Sequence, residues 1–196
     1  MELLTGYGEG AMKLLLNSTP IALWYEIIHE AKIMCSIPLK DDLESYLVFL
    51  MERYTKKPEM AKQVMAHQFL EGMKANFFKR QQTLQAVGDQ CLLFAGLFPQ
   101  QANKRLVKIS YFVHLGQSAY ANISRTHNDI YGLLAGHFVA LMDVLQSVRC
   151  YAKDCPDLMP LDAYELWTET GSKRALSILK QYTQATPVLI DTKANK

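Results

Sequence analysis

Glu26 and His29 stand three residues apart on a helix-forming stretch. Di-iron carboxylate bundles use that spacing to present a carboxylate and an imidazole to one metal. The chemistry needs a second such pair, and this chain has none. Glu26 and His29 also share their face with Glu30, away from Trp24, Ile28 and Ala31, so they read as a solvated helix face. His67 and Glu71, four residues apart, read the same way. The sequence contains no nucleophile elbow, phosphate loop, dinucleotide fingerprint, HExxH zinc motif or EF-hand. Gly6, Gly8 and Gly10 form G-x-G-x-G, but no strand precedes them, and a flexible turn is expected. None of the four cysteines, Cys35, Cys91, Cys150 and Cys155, falls in the C-x-x-C spacing of a zinc or redox motif. Cys35 and Cys91 sit in apolar helical stretches and read as small core residues, which suits a reducing cytoplasm.

His114 and His137 make a more promising pair, because both lie on stretches with the pattern of buried helices. If those stretches form an antiparallel hairpin turning near Arg125, the two imidazoles stand at one height, as do Tyr120 and Tyr131. A second hairpin turning near Pro99 would bring Gly88 and Asp89 close to Ser110 and Ile109. The candidate ligand-binding residues are therefore Asp89, Tyr111, His114, Tyr120 and His137. The same groups equally suit an internal hydrogen-bond network, which buried polar groups require in any case. Two imidazoles are too few ligands for a metal, so neither metal nor cofactor is expected.

Helical periodicity positions these residues, and no alternating strand pattern occurs. A first short helix is expected over Glu9 to Leu16. The second starts at Thr19 as N-cap with Pro20 in the first turn, carries the stripe Trp24, Ile27, Ile28, Ala31, Met34 and Cys35, and ends before Pro38. A third runs from Asp41 to about Tyr54. A fourth opens at Pro58 and Glu59 and turns Ala61, Val64, Met65 and Phe69 inward. The fifth spans Lys74 to Gly96, the sixth Gln101 to Ile123 and the seventh His127 to Tyr151. The sixth is apolar nearly all round beyond Lys108, the mark of a central helix. Two shorter helices, Leu161 to Trp167 and Lys173 to Tyr182, flank Gly171. The expectation is an all-α antiparallel bundle of about seven to nine helices, one domain over 1–183, with a flexible tail over 184–196.

Composition narrows the function classes. The chain has 196 residues, 49% of them apolar, and a net charge of +2, which is ordinary for a globular domain. Its basic residues Lys79, Arg80, Lys104, Arg105 and Lys108 flank the hairpin of the fifth and sixth helices at opposite ends, so nucleic acid is not the expected partner. The longest apolar run, Cys91 to Phe98, is far below the ~20 residues that span a bilayer, and no membrane association is expected. Leu158, Leu161, Tyr164 and Trp167 lie outside the central helices and are the candidate interaction residues.

The run Val87-Gly88-Asp89-Gln90-Cys91-Leu92-Leu93-Phe94-Ala95-Gly96-Leu97-Phe98-Pro99, followed by Tyr111-Phe112-Val113-His114-Leu115-Gly116 and Ala119-Tyr120, resembles a group of uncharacterised all-helical bacterial proteins. The resemblance covers about the middle half of the chain. It implies a helical fold and a bacterial cytoplasmic origin, and it implies no activity. The leading expectation is a non-enzymatic interaction or regulatory protein with a protein partner or as a homodimer. The alternative is a small-molecule-binding protein or enzyme with its pocket between the fifth, sixth and seventh helices.

Overall fold

The computed structural model describes residues 19–58, 65–99, 107–150 and 158–182. These residues form nine helices: α1 (Pro20–Met34), α2 (Asp41–Lys56), α3 (Met65–Lys74), α4 (Phe77–Leu97), α5 (Ile109–Ala121), α6 (Ile130–Gly136), α7 (Phe138–Cys150), α8 (Pro160–Thr170) and α9 (Lys173–Tyr182). The all-helical expectation holds. The predicted helix over Glu9 to Leu16, the G-x-G-x-G turn, Lys104, Arg105, Cys155 and the tail lie outside the described residues.

Local chemistry sets the helix ends. The Thr19 hydroxyl accepts from the Ala22 amide at 3.3 Å, with Pro20 in the first turn of α1. Asn76 caps α4 by accepting from the Lys79 amide at 3.2 Å. Asp129 caps α6 by accepting from the Gly132 amide at 2.7 Å. Gly171 ends α8 at φ 73°, a left-handed conformation in which glycine carries no side-chain penalty.

The most enclosed helix is α4, where every residue from Val87 to Leu97 is buried. It packs against α3, α5 and α7. Helix α5 shares the centre but keeps Tyr111, His114 and Ser118 exposed along one edge. The α4–α5 pair is antiparallel: Gly88 faces Tyr120, Cys91 faces Gly116 and Phe94 meets Phe112. Asp89 thus stands beside Tyr120 and not beside Ile109 and Ser110 as expected. The register slides by more than two turns from the expected one, because α5 begins at Ile109 and its packing on α4 is set by Gly88 against Tyr120 and Gly116 against Cys91.

The seventh predicted helix is broken in two. Helices α6 and α7 meet at His137 with a bend of 74°. A glycine at 136 weakens the helix there, and the bend seats the Phe138 ring on Gly116, where an added Cβ would lie 2.4 Å from the ring. Helix α1 packs on α2 and α7, while α8 and α9 pack on each other and reach the bundle through α5 and α7. The buried apolar residues form one cluster from Trp24 to Leu179. Met34, expected on the inward stripe of α1, is 67% exposed. Among the described residues no single helix is long and apolar enough to cross a membrane.

Candidate functional site

Asp89 is the centre of a buried polar network. It sits inside the otherwise apolar half of α4 and is 1% exposed. A carboxylate in such a place needs donors, because an unpaired charge in the interior costs several kcal/mol. Three are supplied. Oδ1 accepts from the Tyr46 hydroxyl at 2.6 Å and the Tyr120 hydroxyl at 2.7 Å, and Oδ2 accepts from Arg53 Nη2 at 3.1 Å. Tyr46 and Arg53 come from α2, Tyr120 from α5. Tyr46 also accepts from the Gln85 amide at 3.4 Å, and Gln85 accepts from the Tyr131 hydroxyl at 3.0 Å. Gly88 makes room for this arrangement, since a Cβ there would lie 2.5 Å from the Tyr120 ring. Burial pushes the Asp89 carboxyl above its ordinary range despite Arg53 and the two phenols. Burial and the neighbouring carboxylate push both phenols up, so Tyr46 and Tyr120 stay neutral donors.

Of the five predicted pocket residues, the structure brings together only Asp89 and Tyr120. Tyr111, His114 and His137 are all exposed. The two imidazoles do not face each other in an interior: His137 caps the broken end of α6, and His114 lies on the edge of α5 toward Glu169 of α8. The α5–α6 register itself holds, for Tyr120 and Tyr131 stack with centroids 6.4 Å apart. The helix break turns His137 outward. What remains of the proposed pocket is a closed hydrogen-bond network, the other reading open from the sequence.

Two further buried carboxylates were not anticipated. Glu44 on α2 is buried beside α1, with His29 Nδ1 at 2.9 Å from Oε1 and Lys32 Nζ bonded to Oε2. Burial alone would raise its carboxyl, but the bonds from Lys32 and His29 outweigh it and hold the group below its ordinary range. His29 is therefore a tether between two helices and more than a solvated face, whereas Glu26 is exposed. Asp143 on α7 caps α9 from outside that helix: it accepts from the Ser172 hydroxyl at 2.6 Å and from the Lys173 and Arg174 amides at 2.9 and 3.3 Å. Burial pushes its carboxyl up against those bonds. Beside it, Ser147 Oγ lies 2.6 Å from Cys35 Sγ and accepts from Arg174 at 3.1 Å, while a second Arg174 nitrogen donates to Cys150 Sγ at 2.7 Å. Cys35 is thus half-buried and polar in its contacts, whereas Cys91 is buried as expected, against Met65. Among the described residues no three His, Cys, Asp or Glu side chains converge to hold a metal.

Among the described residues, two of the cavities open on the surface. One, of about 260 Å³, lies between the start of α5 and α8, where Lys108 pairs with Glu165 at 3.4 Å and Glu169 at 2.9 Å. The other, of about 370 Å³, lies at the opposite end of α5. The four predicted interaction residues divide evenly. Leu158 is buried and Trp167 packs half-buried on the core, whereas Leu161 and Tyr164 are exposed.

The chain matches no protein-family model, no curated protein and no solved structure.

Proposed function

We propose that this chain is a non-enzymatic helical interaction protein that docks to a second protein chain, in the first instance another copy of itself. The carrying observation is the outer face of α8. Met159 and Leu161 are 68% and 69% exposed, and Tyr164 stands beside them at 40%. Tyr164 lies one turn from Leu161, so the two share a face, and its ring leans on Trp167 with centroids 6.2 Å apart. Apolar surface left in water costs roughly 25 cal/mol per Å², and a contiguous exposed patch marks an interface. The buried acids give the same reading indirect support. Asp89, Glu44 and Asp143 are each held by two or three donors within the fold, as buried structural groups require. The free thiols of Cys35, Cys91 and Cys150 suit the reducing cytoplasm. The small-molecule alternative around Asp89, Tyr111, His114, Tyr120 and His137 has less support, because three of those five side chains face outward.

Sedimentation equilibrium tests the reading with wild type and a Leu161→Glu, Tyr164→Glu double variant. Dissociation of a wild-type dimer into monomers in the variant is the expected result. A wild-type chain that stays monomeric at about 100 μM, where even weak specific pairs associate, would overturn self-association.

A further inference from the structure

The basic residues near the two ends of α5 have different fates. At the start, Lys108 is neutralised by Glu165 and Glu169. At the far end, roughly 20 Å away at 1.5 Å per residue, Arg80 reaches from α4 to Asn122. Its Nη2 lies 3.2 Å from the side-chain Oδ1 and 3.4 Å from the backbone oxygen. Both acceptors are neutral, and Arg80 makes no ion pair among the described residues. Arg125, on the loop after α5, stacks over the Phe77 ring with 5.5 Å to its centroid. It too makes no ion pair among the described residues. Both arginines line the cavity of about 370 Å³, together with Phe77, Gln81, Asn122 and Ser124.

We propose that this cavity binds a small phosphorylated ligand, with its phosphate between the guanidinium groups of Arg80 and Arg125 and its organic part against Phe77. The site goes beyond the docking face and lies at the other end of α5 from it. Three features favour a phosphate. Two guanidinium groups from separate elements match a dianion in charge, and their planar donors match its oxygens in geometry. Lys74 and Lys79 are exposed, each next in sequence to a lining residue, Ala75 and Arg80, and add positive charge to this end of the molecule. The loop's own carboxylate, Asp129, is engaged by the loop itself: it accepts from the Ser124 hydroxyl and from the Arg125, Thr126 and Gly132 amides. Those bonds hold the loop that carries Arg125, and none of them is made by its guanidinium. Phe77 lines the cavity, is 58% exposed, and supplies apolar ring surface beside Arg125 for an apolar or aromatic group. The volume, near the lower end of the usual 300–1,000 Å³ for ligand sites, restricts the occupant to a small molecule.

The test is amide NMR of the full chain at low salt, titrated with phenyl phosphate, inorganic phosphate and phenol. Saturable shifts at Phe77, Arg80 and Arg125, with phenyl phosphate binding more tightly than either fragment and with a dissociation constant near about 1 mM or below, are expected. Arg125→Gln, at an exposed position whose side chain meets the fold at Phe77 and whose backbone bond to Asp129 the variant keeps, should weaken binding about tenfold or more with unchanged melting. Arg80→Gln should act alike, and Lys108→Gln should have no effect. Absence of saturable shifts, phenol binding as tightly as phenyl phosphate, or indifference to Arg125→Gln would each overturn the proposal. So would a single-stranded oligonucleotide that binds across both Arg80 and Lys108 and is not displaced by phenyl phosphate, since that would assign these cations to nucleic acid.

Discussion

At the scale of single residues, three buried carboxylates show how polar groups hold this fold together. Tyr120 gives Asp89 one of its three donors from 2.7 Å, inside the core. Tyr120→Phe keeps the ring against Gly88 and deletes only that bond to a charged group. A loss of about 1.5–3 kcal/mol in urea unfolding is expected. A loss below the scatter of the measurement would mean that Tyr46 and Arg53 satisfy Asp89 alone. The surface cap Asp129 makes a different prediction. Backbone amides of Gly132 and Arg125 first, then Thr126 and the Ser124 hydroxyl, lower its carboxyl from 3.8 to about 2. A folded pKa below the unfolded one adds stability that is complete above the ordinary aspartate range and vanishes as pH falls through the folded value. Melting curves should therefore lose stability between about pH 4 and pH 2, and Asp129→Asn should flatten that part of the profile. An unchanged profile in the variant would show that other carboxylates control the acid limb. Asp89 was visible as an acid inside an apolar run, which signals buried partners. Its partners Tyr46 and Arg53 were not visible, because nothing local ties α2 to α4 across that distance in the chain.

At the scale of elements, glycines decide how closely helices approach. Gly116 lets α5 lie against α7 and α4: a Cβ would meet the Phe138 ring at 2.4 Å and Cys91 Cβ at 2.9 Å. Gly136, at the end of α6, has nothing within 4 Å of the same position. One substitution should therefore act with opposite signs. Gly116→Ala overpacks a dense interface and should cost about 1–3 kcal/mol. Gly136→Ala removes backbone freedom from the unfolded chain without a clash and should stabilise by about 0.4–1 kcal/mol. Equal effects in denaturant titrations would mean that α5 and α7 can separate to admit a methyl group. Helix starts were legible at Thr19 because side-chain capping is a local event. The break at His137 was not, since the apolar stripe from Ile130 to Val148 runs on unbroken and only the seating of Phe138 on Gly116 shows the need for a bend.

At the scale of the whole molecule, α8 and α9 are an appendage tied to the bundle at few points. Asp143 is the principal polar tie, for it caps α9 from α7 while Ser172 hydrogen-bonds both Asp143 and the Ala175 amide. Asp143→Ala leaves those donors without their carboxylate and should cost about 1–3 kcal/mol. The loss should appear in hydrogen exchange as faster exchange of α8 and α9, with α4 and α5 unchanged, because weakly tied units open by themselves. Uniform loss of protection would show that the molecule opens as one unit. The docking face proposed on α8 belongs to the same appendage, so loosening it should also weaken self-association.

The sequence by itself determined that the described residues are all helical, where α1, α2, α8 and α9 start, that Cys91 and Asp89 lie inside, and that Tyr120 and Tyr131 stand side by side. These follow from short-range periodicity, capping and hairpin geometry. Tertiary structure alone decided that His114 and His137 face water, that His29 and Lys32 serve Glu44, that Asp143 caps a distant helix and that Arg80 and Arg125 line one cavity. Those outcomes depend on where connections let helices slide and bend. A slide of a few residues along a helix turns a buried side chain into an exposed one without altering the pattern from which it was read.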